Sequence, residues 1–318
     1  MTLTRLRRLL QLSAMVLFCT SITAAQTTDP ALDSYYRRAC GGGVSATLST
    51  AHAAAGSPGS ASQPATETAT PRARELVSAM LQAHGGMEAW RSTHALQFTH
   101  VLMFGEVLHT EWFISHETTE IRTKRSYQDW PLFKGRLAYD GTATWTHNWQ
   151  IENPPGVNVN SAYTILALPW LTQEAGVLLT DLGRRTLPAD PLAYDVVRMT
   201  YATGTAEQRR KYYDLYIHPQ THVLRAVAYN ITYGAFLDLI GLPKDQQSLG
   251  PFLHVFYEHT REGGLLFPSK YDTFDPTQHN AGRHVVIGYA LSGSFDASRL
   301  RPPKDAVFDR SSPERTAK

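Results

Sequence analysis

The sequence has few cysteines and lacks an apolar run long enough to cross a membrane. Cys19 and Cys40 are the two cysteines among 318 residues, and Cys19 falls in an N-terminal segment that we expect to be removed. No internal disulfide is then possible, so the folded part must be held together by its apolar core. The N-terminal apolar run from Leu9 to Cys19 is shorter than the about 20 residues of a spanning helix. We therefore do not expect a transmembrane protein.

An excess of charge of either sign is also missing. Charged residues make up 18% of the chain and the formal net charge is +2. Loss of the three arginines of the predicted signal, which has no acidic residue, takes that charge to −1. A nucleic-acid-binding protein normally carries a basic excess, so nucleic acid is not an expected partner.

Local motifs of catalysis and metal binding are absent as well. The chain has no P-loop, no dinucleotide-binding glycine motif, no H-E-x-x-H and no G-x-S-x-G elbow. His218 and His222 are spaced like metal ligands, but Pro219 places them on a hairpin turn instead of one helical face. Two further histidine pairs have odd spacings, which put their members on opposite faces of a strand: His254 with His259, and His279 with His284. The sequence thus predicts no catalytic residue, no metal ligand and no cofactor.

The first 25 residues have the three-part layout of a secretory signal peptide. Arg5, Arg7 and Arg8 precede a mainly apolar run that ends at Cys19, and small residues follow up to Ala25. We predict cleavage near Ala25 and export to the periplasm. Secretion or association with the cell envelope are the alternatives.

Low-complexity sequence follows the predicted signal. Residues 41–70 consist almost entirely of Gly, Ala, Ser, Thr, Pro and Gln, with one charged residue, Glu67. Such a segment cannot bury enough apolar surface to offset the entropy lost on ordering. We predict a flexible segment over 26–70, a single β domain over 71–303 and a disordered tail over 304–318.

One amphipathic helix precedes the strands. Pro71 occupies a first-turn position, apolar residues recur with helical spacing from Leu76 to Leu81, and Gly85-Gly86 supplies a left-handed C-cap. From Leu96 to Phe104 the pattern changes to a period of two, which indicates a strand.

Later alternating runs predict two antiparallel meanders with about 10 to 11 strands in all. Asp140-Gly141 marks one tight hairpin. Between the meanders, Ala162 to Leu182 is predicted as a strongly apolar helix, interrupted at Pro169, that covers the sheet or a cavity. Ala235 to Ser248 is predicted as a small helical insertion. The expected fold is mainly β (α+β): a strongly curled antiparallel sheet or half-open barrel with an N-terminal helix and a covering helix.

Aromatic and aliphatic side chains recur along the strands and the covering helix. Most of them are expected to fill the core, and the rest to line an apolar cavity. The predicted cavity residues are Phe98, Leu102, Phe104, Trp112, Trp145, Trp149, Leu166 and Trp170.

Four segments of the predicted domain carry a further signal. They are Met80-Leu81-Gln82-Ala83-His84-Gly85-Gly86 with Trp90 and Leu96-Gln97-Phe98; Tyr216 to Thr221; Gly263 to Pro268; and Phe295 with Arg301-Pro302-Pro303. Together they resemble the outer-membrane lipoprotein carriers of the LolA/LolB-like family, over Pro71 to Pro303. The resemblance implies a half-open antiparallel barrel whose helices line or cover an apolar cavity for lipid chains, without a cofactor.

These patterns predict an exported, non-enzymatic protein that holds a lipid or another apolar molecule in the concave face of the sheet, with a role in lipid or lipoprotein handling at the cell envelope. Envelope proteins are further expected partners. Two alternatives stay open. A cleft histidine within hydrogen-bond reach of a carboxylate and a hydroxyl would favour a periplasmic hydrolase with a dispersed site. A solid barrel with a long unpaired edge would favour an envelope scaffold.

Overall fold

The computed structural model describes residues 70–104, 111–188 and 190–314. The predicted signal peptide and all but the last residue of the predicted flexible segment lie outside the described residues. The helices are α1 (Pro71–Ala83), α2 (Gly86–Ser92), α3 (Pro155–Asn158), α4 (Ser161–Leu171), α5 (Ala206–Arg210) and α6 (Gly234–Leu239). Within these ranges, no helix is both long enough and apolar enough to span a membrane.

The described ranges contain 13 strands in one sheet. They are β1 (Ala95–Phe104), β2 (Glu111–Glu120), β3 (Ser126–Trp130), β4 (Gly135–Tyr139), β5 (Thr144–His147), β6 (Val177–Leu187), β7 (Asp190–Tyr201), β8 (Tyr212–Ile217), β9 (Leu224–Ile231), β10 (Leu249–Glu262), β11 (Leu265–Phe274), β12 (Asn280–Ser292) and β13 (Val307–Phe308). Their order is β13-β5-β4-β3-β2-β1-β12-β11-β10-β9-β8-β7-β6. All pairings are antiparallel, and β6 and β13 are the edges of the open sheet. The predicted fold class is confirmed, with more strands than expected.

The covering helix is shorter than the sequence predicts. It ends at Leu171, and residues from Val177 onward form β6 instead of continuing the helix to Leu182. Gly176, at a φ of 82°, turns the chain between the two elements. A short apolar run fits a buried helix and a buried strand equally well, and pairing with β7 decides in favour of the strand.

The C-terminal segment is ordered further than predicted. Val307–Phe308 pairs with β5, and the backbone N–H groups of Gly234 and Ala235 donate to the carbonyls of Pro313 and Ser312. The expected disorder from Lys304 is therefore wrong as far as Glu314. These contacts satisfy backbone groups of an edge strand and of the start of α6 that would otherwise need water.

The hydrophobic core lies between one face of the sheet and the helices α1, α2 and α4. Trp170 of α4 is 1% exposed and stacks on Trp90 of α2, with ring centroids 4.5 Å apart and planes at 9°. Its indole N–H donates to the Gly86 carbonyl at 3.0 Å. Trp170 thus joins the covering helix to the N-terminal corner.

The N-terminal corner is held by a buried histidine. The hydroxyl of Thr70 caps α1, and Pro71 stands at its first position as predicted. His84 follows α1 and is 0% exposed. Its Nδ1 lies 2.8 Å from the Leu266 carbonyl oxygen, and its Nε2 accepts a hydrogen bond from Leu224 N–H at 3.0 Å. One imidazole therefore ties the end of α1 to β9 and β11.

Gly85 cannot be replaced without strain. Its φ is 99°, and a Cβ there would lie 2.4 Å from the Gly264 carbonyl oxygen. We expect Gly85→Ala to lower the free energy of unfolding by about 2–4 kcal/mol, since a left-handed backbone and a backbone clash are combined. Urea unfolding measures the loss. Gly264→Ala is the matched control, because its φ is 85° and a Cβ there meets nothing within 4 Å. If both variants lost the same free energy of unfolding, the predicted clash at Gly85 would be contradicted.

Candidate functional site

A cavity of about 320 Å³ lies between the sheet and a roof formed by α3 and α4. Strands β1 to β3 and β8 to β12 contribute its base, and α6 closes one side. Its apolar lining comes from both layers: Leu102, Phe113, Ile151, Val157, Val159, Ala162, Ile165, Ile231, Phe236 and Phe252. The cavity adjoins the solid core, because Ala162 and Ile165 of α4 belong to both.

Polar side chains line one part of the cavity, and we call them the polar floor. They are His100, Ser115, Glu117, Gln128, His254, Thr273 and His284, on β1, β2, β3, β10, β11 and β12. Strand pairing brings them together: Ser115 lies opposite His100, Gln128 opposite Glu117, and Thr273 opposite His254.

Three histidines and a threonine of the polar floor form one hydrogen-bonded chain. His100 Nε2 lies 2.9 Å from His284 Nδ1. His284 Nε2 and His254 Nδ1 each lie 2.7 Å from the Thr273 hydroxyl. A neutral imidazole has one N–H and one lone pair. The hydrogen bonds of this series can therefore all donate toward His254 or all donate toward His100.

Glu117 occupies the other end of the polar floor. It is 4% exposed. Ser115 Oγ donates to its Oε1 at 2.7 Å, and Gln128 Nε2 donates to its Oε2 at 3.1 Å. His100 Nδ1 lies 3.8 Å from Oε1, beyond hydrogen-bond distance. Gln128 also donates to the Asn158 carbonyl of the roof at 2.9 Å, so this network connects base and roof.

Burial favours the uncharged forms of these groups. It lowers the pKa of His100 to about 4 and that of His254 to about 3, and it holds the pKa of His284 well below its usual range. Burial also raises the pKa of Glu117 to about 7, against the opposing effect of its hydrogen bonds from Ser115 and Gln128. The three imidazoles are therefore uncharged at neutral pH.

A second polar group also lines the cavity. Glu207 is 4% exposed and pairs with Lys211 Nζ at 2.9 Å. Thr232 Oγ1 donates to Glu207 Oε1 at 2.7 Å. The charges of Glu207 and Lys211 are thus matched within the protein.

The predicted cavity residues are distributed over several environments. Leu102 lines the cavity. Phe98, Leu166 and Trp170 pack in the core beside it, because the helices cover that part of the sheet without a gap. Trp145 is in a separate cluster with Ala138 and Leu300, and Trp149 packs edge-on against Trp130 and Phe133. The side chains of Phe104 and Trp112 lie outside the described residues.

Sequence reasoning missed the polar floor. Its signal was a histidine on the apolar face of an alternating strand: His100 follows Leu96 and Phe98, and His254 stands between Phe252 and Phe256. Each such residue alone is more often a satisfied core histidine. Their convergence depends on strands far apart in the chain, since His100 and His284 are 184 residues apart.

No family model matches the chain, and no curated protein matches it. Solved structures do show similarity. A LolA superfamily protein from Nitrosomonas europaea is 8% identical with a TM-score of 0.47, over 72% of this chain and 97% of its own. A DUF1329 family protein from Desulfovibrio piger is 9% identical with a TM-score of 0.44, over 73% and 98%.

An outer membrane lipoprotein-sorting protein domain from Vibrio parahaemolyticus is 4% identical with a TM-score of 0.43, over 72% of this chain and 96% of its own. A protein of the LolA type, which the sequence resembles, is thus among the similar structures. These three TM-scores are below 0.5, so the similarity carries no functional argument.

Proposed function

We propose that this protein is an exported, non-enzymatic carrier or sensor that binds one lipid-like or other apolar molecule in the roofed cavity. The observation that supports this most directly is the cavity itself, whose apolar walls come from strands and from the helical roof. Apolar lining with a few convergent polar groups is the usual make-up of a small-molecule site. Export rests on the predicted signal peptide.

The size of the cavity limits the ligand. Its volume of about 320 Å³ is near the lower end of the range for small-molecule sites. It equals roughly ten water volumes. One small molecule or one short stretch of an acyl chain fits this space, and several complete lipid chains do not.

The hydrolase alternative has one observation in its favour, the Thr273 hydroxyl between two imidazoles. A general base works best when its pKa is near the operating pH. The pKa of His254 is about 3 and that of His284 is well below its usual range, so both are weak bases. The Glu117 carboxylate is also outside hydrogen-bond distance of His100. These properties favour binding over hydrolysis.

The scaffold alternative requires an accessible sheet edge. At the β6 edge, Thr70 N–H already donates to the Leu179 carbonyl. The same strand has an irregularity between Asp181 and Arg184, and Arg184 and Arg185 are exposed. The other edge strand, β13, is two residues long. Charges, irregularities and short edges all oppose strand addition.

Filling the cavity tests the proposal. Ala281 of β12 lines the cavity, so Ala281→Phe would place a ring in a space of about 320 Å³. We expect toluene, a small apolar probe, to bind the wild-type protein and to bind this variant at least about tenfold more weakly, because the ring occupies the space and removes apolar contact. Isothermal titration calorimetry measures both affinities.

The control is Ala290→Phe, the same change at an exposed position of the same strand. It should leave toluene binding unchanged. Absence of toluene binding to the wild-type protein, or equal binding by the two variants, would contradict the proposal. Native mass spectrometry of protein purified from its own cell envelope would in addition measure the mass of a ligand that copurifies with it.

A further inference from the structure

We propose that the polar floor is a headgroup site for an uncharged oxygen-bearing group, a hydroxyl or a carbonyl, on the apolar ligand. The apolar part of the same molecule would lie against Leu102 and the roof. This inference rests on the proposed binding function and specifies the chemical class of its ligand.

Charge matching within the cavity argues against an anionic headgroup. The cavity lining within the described ranges includes one lysine, Lys211, and no arginine. Lys211 is already paired with Glu207 at 2.9 Å. A carboxylate or phosphate would lose its hydration in this cavity without gaining an unmatched cation, which is costly.

A cationic headgroup is disfavoured for a related reason. Glu117 is the acidic group of the polar floor, and Ser115 and Gln128 already donate hydrogen bonds to its two oxygens. It is 4% exposed. An ammonium would have to lose its water and compete with these donors for the carboxylate.

The polar floor offers hydrogen bonds to an uncharged group instead. Within the described residues, the hydrogen-bonded series His100–His284–Thr273–His254 leaves two ring nitrogens without a hydrogen-bond partner, His100 Nδ1 and His254 Nε2. Both residues line the cavity. Neutral imidazoles present either an N–H or a lone pair at such positions.

The two possible donor directions of these hydrogen bonds explain why an oxygen group suits this site. In one direction His254 Nδ1 donates to Thr273, so His254 Nε2 presents a lone pair; in the other direction Thr273 donates to His254 Nδ1, so Nε2 presents an N–H. A hydroxyl can pair with either form because it both donates and accepts. A carbonyl selects the direction in which Nε2 donates.

Three probes with one chain length test the headgroup. We expect 1-octanol to bind at least about tenfold more tightly than octanoate or octylammonium at pH 8, since only the alcohol enters without the cost of burying a charge. Isothermal titration calorimetry gives the three affinities, and toluene serves as a probe without a headgroup.

Thr273→Val tests the polar floor directly. It removes the hydroxyl that holds His254 and His284 and nearly keeps the side-chain shape. We expect 1-octanol to bind about three- to tenfold more weakly, as for the loss of a hydrogen bond, while toluene affinity is unchanged. His254→Phe, which removes the ring nitrogens themselves, should have the same effect if Thr273→Val fails to fold.

The matched control is Thr99→Val. Thr99 also bonds to a histidine, with 2.8 Å between its Oγ1 and His116 Nδ1, but it points to the opposite face of β1 from His100. It should not change octanol affinity. The headgroup site would be overturned if octanoate or octylammonium bound as tightly as octanol, or if Thr273→Val and Thr99→Val bound octanol equally well. Toluene binding in that case would still support the proposed function. Absence of binding by all four probes would instead overturn the proposed function.

Discussion

The free energy of unfolding is expected to fall by on the order of 10 kcal/mol between pH 6.5 and pH 4. The cause is a set of five buried or half-buried histidines that are uncharged in the folded protein. Burial lowers the pKa of His84, His100 and His259 to about 4 and that of His254 to about 3, and the pKa of His284 is well below its usual range.

The sign follows from proton binding. Below pH 6.5 the unfolded chain takes up protons on these histidines and the folded protein does not, so acid favours the unfolded state. Each fully buried histidine contributes about 1.4 kcal/mol per pH unit between its two pKa values. The raised pKa of Glu117, about 7, increases the free energy of unfolding as the pH falls from 7 to 4.5. This one group offsets only part of the effect of the five histidines.

Urea unfolding at a series of pH values between 7.5 and 4 measures this dependence. His254→Gln is an informative variant, because it removes one buried histidine from the set and should make the fall with pH shallower by up to about 1.4 kcal/mol per pH unit. A stability that is constant or rises as the pH falls through this range would show that these imidazoles are charged or hydrated in the folded state.

Replacement of Trp170 by alanine is expected to lower the free energy of unfolding by about 3–5 kcal/mol. The ring stacks on Trp90 and contacts Phe267, with centroids 5.1 Å apart. Its loss also leaves the Gly86 carbonyl without its indole donor. The sequence predicts Trp170 as a cavity residue, whereas its 1% exposure and its packing place it in the core.

Trp149→Ala is the matched control for that change. Trp149 was predicted alongside Trp170 as a cavity residue, yet it is only half-buried and packs against Trp130 and Phe133. It should cost less than half as much in urea unfolding. If Trp170→Ala weakened toluene binding strongly while leaving the unfolding midpoint unchanged, Trp170 would have to contact the ligand instead of supporting the core.

Much of the fold follows from local signals. Thr70 and Pro71 start α1 and Gly85 ends it, because capping, a preset φ and a left-handed conformation act within a few residues. Alternation of apolar and polar residues indicates strands and assigns their buried face. These properties belong to the chain segment itself, so the sequence is enough to predict them.

Local patterns do not determine an element boundary where two structures satisfy the same pattern. The run from Val177 to Leu182 is apolar enough for a buried helix, but its pairing with β7 makes it an edge strand. Val307–Phe308 lies in a mainly polar tail and forms a strand because it pairs with the edge of β5. In both cases pairing with another strand decides the outcome, and for Val307–Phe308 that strand is distant in the sequence.

By itself, the sequence determined that an amphipathic N-terminal helix comes before a mainly antiparallel sheet, and which residues of its strands form an apolar face. Only the tertiary structure decided where the core ends and the cavity begins, and it placed His100, His254 and His284 in one polar floor. The reason is that periodicity assigns a side chain to a face of its strand, whereas sheet order assigns its neighbours: β1 pairs with β12 across most of the chain.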